Sequence, residues 1–155
     1  MNAANLLAAW GQALGLPELA LSDLGTAALL IDGTLTLNIE HEDDAGRLLL
    51  YVPLGAPPAA EREACFARLL QANLFGHGSG GGHIGLDAQR DELVLSRQLA
   101  LDNTDLPALE AAIESLLAAA RQLRELLAQN PSGAMPTASP VDTGPTSAQA
   151  FMLRA

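Results

Sequence analysis

Residues able to do chemistry are densest between Asn73 and Asp87, in NLFGHGSGGGHIGLD, where His77, Ser79, His83 and Asp87 stand among six glycines. Such a segment could cradle a phosphate, hold a metal or carry a serine nucleophile. A Walker phosphate loop closes on Gly-Lys-Ser/Thr, and the chain contains no lysine. A dinucleotide fingerprint needs a strand before its glycines and a helix after them, because backbone N–H groups and the positive helix end hold the pyrophosphate. Here the order is helix, glycines, strand, so a phosphate would meet the negative end of a helix. Two imidazoles six residues apart in a glycine loop offer zinc no fixed geometry and no third ligand. A nucleophile elbow needs glycine two residues either side of the serine, and His77 takes one of those places. The remaining reading is structural: Gly76 ends a helix, and the next glycines make a flexible joint to a strand.

Composition narrows the class. The chain has 155 residues, 49% hydrophobic and 17% charged, enough for one core. Net charge is -10, and up to Asn130 seven arginines face seventeen acids, so the acidity belongs to the folded part. Such a surface repels polyphosphates, and 3% aromatics leaves few platforms for stacking bases, so nucleic acid is not an expected partner. No apolar run of about 18 residues occurs and the N-terminus lacks a basic signal-peptide start, so neither membrane insertion nor export is expected, and the expected place is the cytoplasm. The single cysteine, Cys65, allows no intrachain disulfide and reads as a small buried residue on a helix.

The elements that must position these residues follow from periodicity. Leu6, Leu7, Trp10, Ala13 and Leu14 recur at helical spacing, with Asn2 or Asn5 as cap and Gly15 and Pro17 as the stop. TAALLI, Thr26 to Ile31, has strand length, Asp32-Gly33 is a hairpin turn, and TLTLNIE alternates from Thr34 to Glu40. The polar loop HEDDAG leads to a third strand, Arg47 to Leu54, completing an antiparallel meander. Strands one and three are apolar on both faces and need covering twice, by helices, a second subunit or a bound partner. AAEREACFARLLQANLFG reads as a second helix stopping at Gly76, followed by short strands HIGLD and ELVLSRQLAL. A third helix runs from Thr104–Pro107 to about Asn130, with Leu109, Ile113, Leu116, Ala120, Leu123 and Leu127 forming its packing seam. The fold class is therefore α+β, in the order α-β-β-β-α-β-β-α: a twisted antiparallel sheet flanked by helices over residues 1–130. Residues 131–155 read as a disordered Pro/Ser/Thr/Ala-rich tail, whose end, AFMLRA, is unexpectedly apolar.

This order of elements in a small acidic chain resembles the class I type III secretion chaperones, the Tir chaperone (CesT-like) family. The closest local match is LLQANLFGHGSGGGHIGLDAQRDELVLSRQLAL, Leu69 to Leu101, where an Asn-Leu-Phe-Gly helix end, a glycine link, a strand ending in Asp and a Leu-Val-Leu strand follow the family pattern. The resemblance implies a homodimer in the bacterial cytoplasm, its contact built from the second helix and the strand after it: Phe66, Leu69, Leu70, Leu74, Ile84 and Leu86. It further implies binding of the N-terminal region of a secreted effector in extended form, without catalysis or cofactor, and the export-apparatus ATPase as a further partner. Strand addition and pocket filling would carry the binding, at roughly 1.5 to 3 kcal/mol per buried aliphatic side chain before ordering costs. The client-binding candidates are Leu7, Trp10 and Leu14 on the first helix and Leu29, Ile31, Leu35, Leu37 and Leu50 on the strands. AFMLRA would then be an internal pseudo-client when no effector is bound.

Two alternatives stay open at this point. One keeps the fold but makes the chain an adaptor or regulator binding another secretion component. The other is a small α/β ligand-binding domain or enzyme with His77, Ser79 and His83 in a cleft.

Overall fold

Asp32 and Gly33 both take positive φ, 50° and 68°, and the Thr34 N–H donates to the Ile31 carbonyl at 3.0 Å, so the expected Asp-Gly turn forms, with Thr34 as a third residue between the paired Ile31 and Leu35. That turn joins β1 (Thr26–Ile31) to β2 (Leu35–Glu42) and fixes their register, with Leu29 opposite Leu37 and Ile31 opposite Leu35. The computed structural model describes residues 2–129, and the expected tail with its AFMLRA end lies outside them. β2 turns through Asp43–Ala45 into β3 (Arg47–Gly55), completing the expected meander. The strand expected to stop at Glu40 continues to Glu42, because His41 and Glu42 still pair with Leu48 and Arg47.

The chain then leaves the sheet through α2 (Arg62–Asn73), returns at the far edge as β4 (His83–Asp87), and inserts β5 (Glu92–Ala100) between β3 and β4. The result is one antiparallel five-stranded sheet in the order β1-β2-β3-β5-β4. α1 (Ala3–Ala13) is capped by Asn2, whose side chain accepts the Asn5 N–H at 2.8 Å. α3 (Leu106–Ala128) is capped by Asp105, which accepts the Ala108 N–H at 2.9 Å. Each cap satisfies an N–H that the helix leaves without an internal partner.

One core lies between the helices and one face of the sheet. Leu29, Leu37, Ile39, Leu50, Val52 and Leu95 supply its sheet side. Leu109, Ile113, Leu116, Ala120 and Leu123, the expected seam, supply the α3 side. α3 lies over β3 and β5, α1 packs on α3, and α2 packs on β4. The second cover expected for strands one and three is not supplied by these helices. On the opposite face Ala28 and Leu30 of β1 are exposed, and Leu49, Tyr51 and Pro53 of β3 are half-buried. Among the described residues no helix is long and apolar enough to cross a membrane.

Candidate functional site

The glycine segment is a packed wedge. Ser79 is fully buried and its hydroxyl donates to the Gly82 carbonyl at 2.6 Å. A Cβ on Gly80 would stand 2.4 Å from the Ser115 carbonyl oxygen, and one on Gly82 2.5 Å from that of Ser96. The segment is thus held against α3 on one side and β5 on the other, with Arg97 donating to the Gly80 carbonyl at 2.9 Å. The expected flexible joint gives way to close packing, and glycine is required because any side chain would collide. The groups singled out for chemistry do not converge. His77 and His83 are exposed while Ser79 is interior, and Asp87 accepts the Gln89 and Arg90 N–H groups of the β4–β5 turn. No group of three His, Cys, Asp or Glu side chains suited to a metal occurs among the described residues.

A different surface gathers what the spacing had scattered. Phe66, Leu69 and Leu70 of α2, with Ile84 and Leu86 of β4 and Leu93 of β5, line an apolar recess of about 240 Å³. Leu69 and Leu93 are buried and form its floor. Leu70 and Leu86, in its lining, are 69% and 41% exposed, and Leu74, outside the lining, is 58% exposed. Five of the six residues expected at a self-contact therefore line one recess, and Leu74 follows directly after α2. Phe75, which the sequence reading passed over, is 87% exposed beside Leu74 and has a positive φ of 55°.

Two polar devices frame this recess. Asn73, the last residue of α2, donates from Nδ2 to the Ile84 carbonyl at 3.0 Å and accepts the Ile84 N–H on Oδ1 at 2.8 Å. At the other end the Arg62 guanidinium lies 5.2 Å from the centre of the Phe66 ring and pairs with Asp91. The hydrogen bond to Arg62 holds the Asp91 carboxyl below its ordinary range, and the same bond raises the guanidinium. Cys65, one turn into α2, is buried as expected, and burial pushes its thiol above the ordinary value.

The client-binding candidates divide sharply. Leu7, Trp10, Leu29, Leu35, Leu37 and Leu50 are all buried in the intrachain core. Their expected place in an open groove is corrected: the stripe of α1 is covered by α3, and the apolar face of β2 looks toward the helices. Leu14, 48% exposed, and Ile31, half-buried, remain at the surface. The exposed residues missed there are Leu16, Leu24 and Leu30, at 47%, 86% and 67%. A hydropathy pattern finds apolar residues but does not say which ones a neighbouring element covers. Leu30 lies on β1, one of the two edge strands; the exposed Asp23 precedes that strand in the chain, and the exposed Asp32 that follows it pairs with Arg121 at 2.7 Å.

Comparison with known proteins gives a consistent result. No curated protein sequence matches the chain. Among solved structures, a chain of the ExsC–ExsE complex is 26% identical with a TM-score of 0.69, covering 82% of this chain and 97% of that one. A chain of the HopA1–SchA chaperone–effector complex is 25% identical with a TM-score of 0.67, over 78% and 91%. A chain of the Yersinia pestis type III secretion chaperone SycH in complex with a stable fragment of YscM2 is 26% identical with a TM-score of 0.63, over 77% and 98%. The family model for the Tir chaperone protein (CesT) family matches residues 5–124, from α1 through most of α3, and the chain belongs to that family.

Proposed function

We propose that this chain is a cytosolic type III secretion chaperone that acts as a homodimer and holds the N-terminal region of a secreted effector in extended form. The observation that carries the reading is the family match over residues 5–124, which spans all five strands and α2 and most of α1 and α3. The likeness to a chain of a chaperone–effector complex supports a protein client over a small ligand. So does the interior place of Ser79, which leaves the glycine segment without an accessible nucleophile.

The geometry supplies a physical route. β1 is an edge strand, and an edge offers unpaired N–H and C=O groups to an incoming strand. A client strand added there would lay alternate side chains beside Leu30 on the open face and Ile31 on the helix-covered face. The net charge of -10, with Asp23 exposed just before β1, favours a client segment carrying arginine or lysine. The homodimer contact is assigned to the α2–β4 recess and its exposed leucines.

The test is to purify the tagged full chain from its source bacterium and identify what accompanies it. A larger protein, protected from protease only within an N-terminal segment and bound to two copies of the chain, is the expected result. A chain that recovers no partner and has a monomeric mass by light scattering would overturn the proposal. Capture of an intact folded protein, with no protected extended segment, would instead favour an adaptor role. Binding of the export-apparatus ATPase belongs to the same proposal and is read from the same purification.

A further inference from the structure

The free edge of β1 is open over a short window only. The Gly25 carbonyl accepts the His41 N–H at 2.8 Å and the Ile31 carbonyl accepts the Thr34 N–H at 3.0 Å, so the odd-numbered residues of this strand turn their backbone groups toward β2. The even-numbered ones turn theirs outward. At Thr26 those outward groups are already taken: its carbonyl accepts the Ser22 N–H at 2.8 Å and its N–H donates to the Ser22 hydroxyl at 3.2 Å. Among the described residues nothing bonds the outward groups of Ala28 and Leu30, and both residues are exposed. A strand of about six residues would close that window.

The chain carries such a segment and brings it to this place. Arg121 pairs with Asp32 at 2.7 Å and Arg124 donates to the Thr34 carbonyl, so the last turns of α3 lie beside the β1–β2 turn. α3 ends at Ala128, about 6 Å beyond Arg124 along its axis. Residues 130–149 then separate that point from Ala150, and twenty residues reach at most roughly 66–72 Å. β1, six residues long, measures about 20 Å. Its whole edge is within reach of AFMLRA.

Composition singles out the same six residues. Pro131, Pro136, Pro140 and Pro145 lack the N–H that a strand ladder needs, whereas residues 146–155 contain no proline and can pair throughout. In an added strand Phe151 and Leu153 share one face and Met152 and Arg154 the other. Whichever face meets Leu30, 67% exposed, an apolar side chain lies beside it. Arg154 is the only cation of residues 131–155, in a chain of net charge -10, so charge favours the docked arrangement.

We infer that the chain's own last six residues, Ala150–Ala155, add to the free edge of β1 and close the Ala28–Leu30 window. A tether of this kind holds a segment at a local concentration on the order of 1 mM, so an intrinsic affinity of about 0.1 mM fills the edge about ten to one. The segment then excludes any other strand from β1 until that strand binds more tightly. Only this consequence for a client rests on the function proposed above; the docking itself does not.

Amide hydrogen exchange of the full chain tests it with no client present. The Ala28 and Leu30 amides should exchange about tenfold faster in Phe151→Asp/Leu153→Asp than in the unmodified chain. Leu29, whose N–H faces β2, should stay protected in both. Met135→Asp/Val141→Asp, which adds the same charge outside the segment, should leave all three unchanged. A synthetic TSAQAFMLRA peptide in millimolar excess should restore protection to the first variant. Equal exchange at Ala28 and Leu30 with and without the aspartates would overturn the inference. So would protection that appears only as the protein concentration is raised, because a second copy would then be covering the edge. If the segment protects the edge and yet the aspartates leave effector capture unchanged, the docking stands and the client route along β1 fails.

Discussion

Asn73 and Ile84 form a two-point clamp, the side-chain amide of one giving and receiving a hydrogen bond with the backbone of the other, at 3.0 and 2.8 Å. The amide reproduces what a neighbouring strand would offer, so the end of α2 finishes the sheet at its β4 edge. A helix terminus is thereby tied to a strand eleven residues on, and the glycine wedge between them is held at both ends.

Asn73→Ala should cost about 1–3 kcal/mol, because it removes both bonds and leaves part-buried backbone groups unpartnered. Urea unfolding measures this directly. The exposed Ile84 edge should also make the variant more prone to association through β4, seen as larger species in light scattering. A variant with unchanged stability and unchanged mass would show the clamp to be dispensable.

Gly80→Ala and Gly85→Ala make an internal comparison. At Gly80 a methyl group meets the Ser115 carbonyl oxygen at 2.4 Å on a backbone of φ 59°, whereas at Gly85 nothing lies within 4 Å. Strain and overpacking together predict a loss of about 3 kcal/mol for Gly80→Ala, and less than about 1 kcal/mol in either direction for Gly85→Ala. Denaturation midpoints decide it, and equal midpoints would mean that the wedge gives way easily.

The period-2 alternation of Leu35, Leu37 and Ile39 and the Asp32-Gly33 turn made the meander legible, and the 3.6-residue seam from Leu109 to Leu123 made α3 legible. These are local patterns, each with its own physical cause. The insertion of β5 between β3 and β4 was not legible, because register across a non-local pair depends on the whole sheet. The glycine wedge misled for the same reason: NLFGHGSGGGHIGLD looks mobile until Ser115 and Ser96 are seen against it. Trp10, expected in a groove, lies in the core, and Leu30, not singled out by its pattern, lies in solvent. Residue type alone does not report cover, and α3 is what covers Trp10. Phe75 was hidden inside a motif read for its glycines.

Cys65 gives a pH-dependent prediction. Burial raises its thiol above the ordinary value, so the folded state holds its proton more tightly than the unfolded state. The stability contributed by that difference is fully present below the unfolded thiol value and is lost as pH rises through the folded one. Unfolding midpoints should therefore decline in the alkaline range above about pH 8.5, and less so in Cys65→Ala. At neutral pH a thiol reagent should label Cys65 slowly in the native chain and rapidly in urea. Fast native labelling would mean that the start of α2 opens readily.

Trp10 and Leu30 separate core from client surface. Trp10 is 4% exposed, and Trp10→Glu buries a charge where an indole packed against the core, a loss well above about 4 kcal/mol and a large part of the total for a domain this size. It should fail to fold, and loss of client binding in that variant carries no information about the client surface. Leu30 is 67% exposed on the free β1 edge, where a charge is tolerated at less than about 0.5 kcal/mol. Leu30→Glu should keep the fold, measured by circular dichroism, yet weaken capture of the effector's N-terminal segment by about tenfold or more, since one well-buried aliphatic contact accounts for about that factor. Leu30→Arg at the same site separates shape from charge. If the β1 edge receives a basic segment, the arginine should weaken capture more than the glutamate does, and equal losses would place the charge selection elsewhere on the surface. Full capture by both variants would move the client away from the β1 edge altogether.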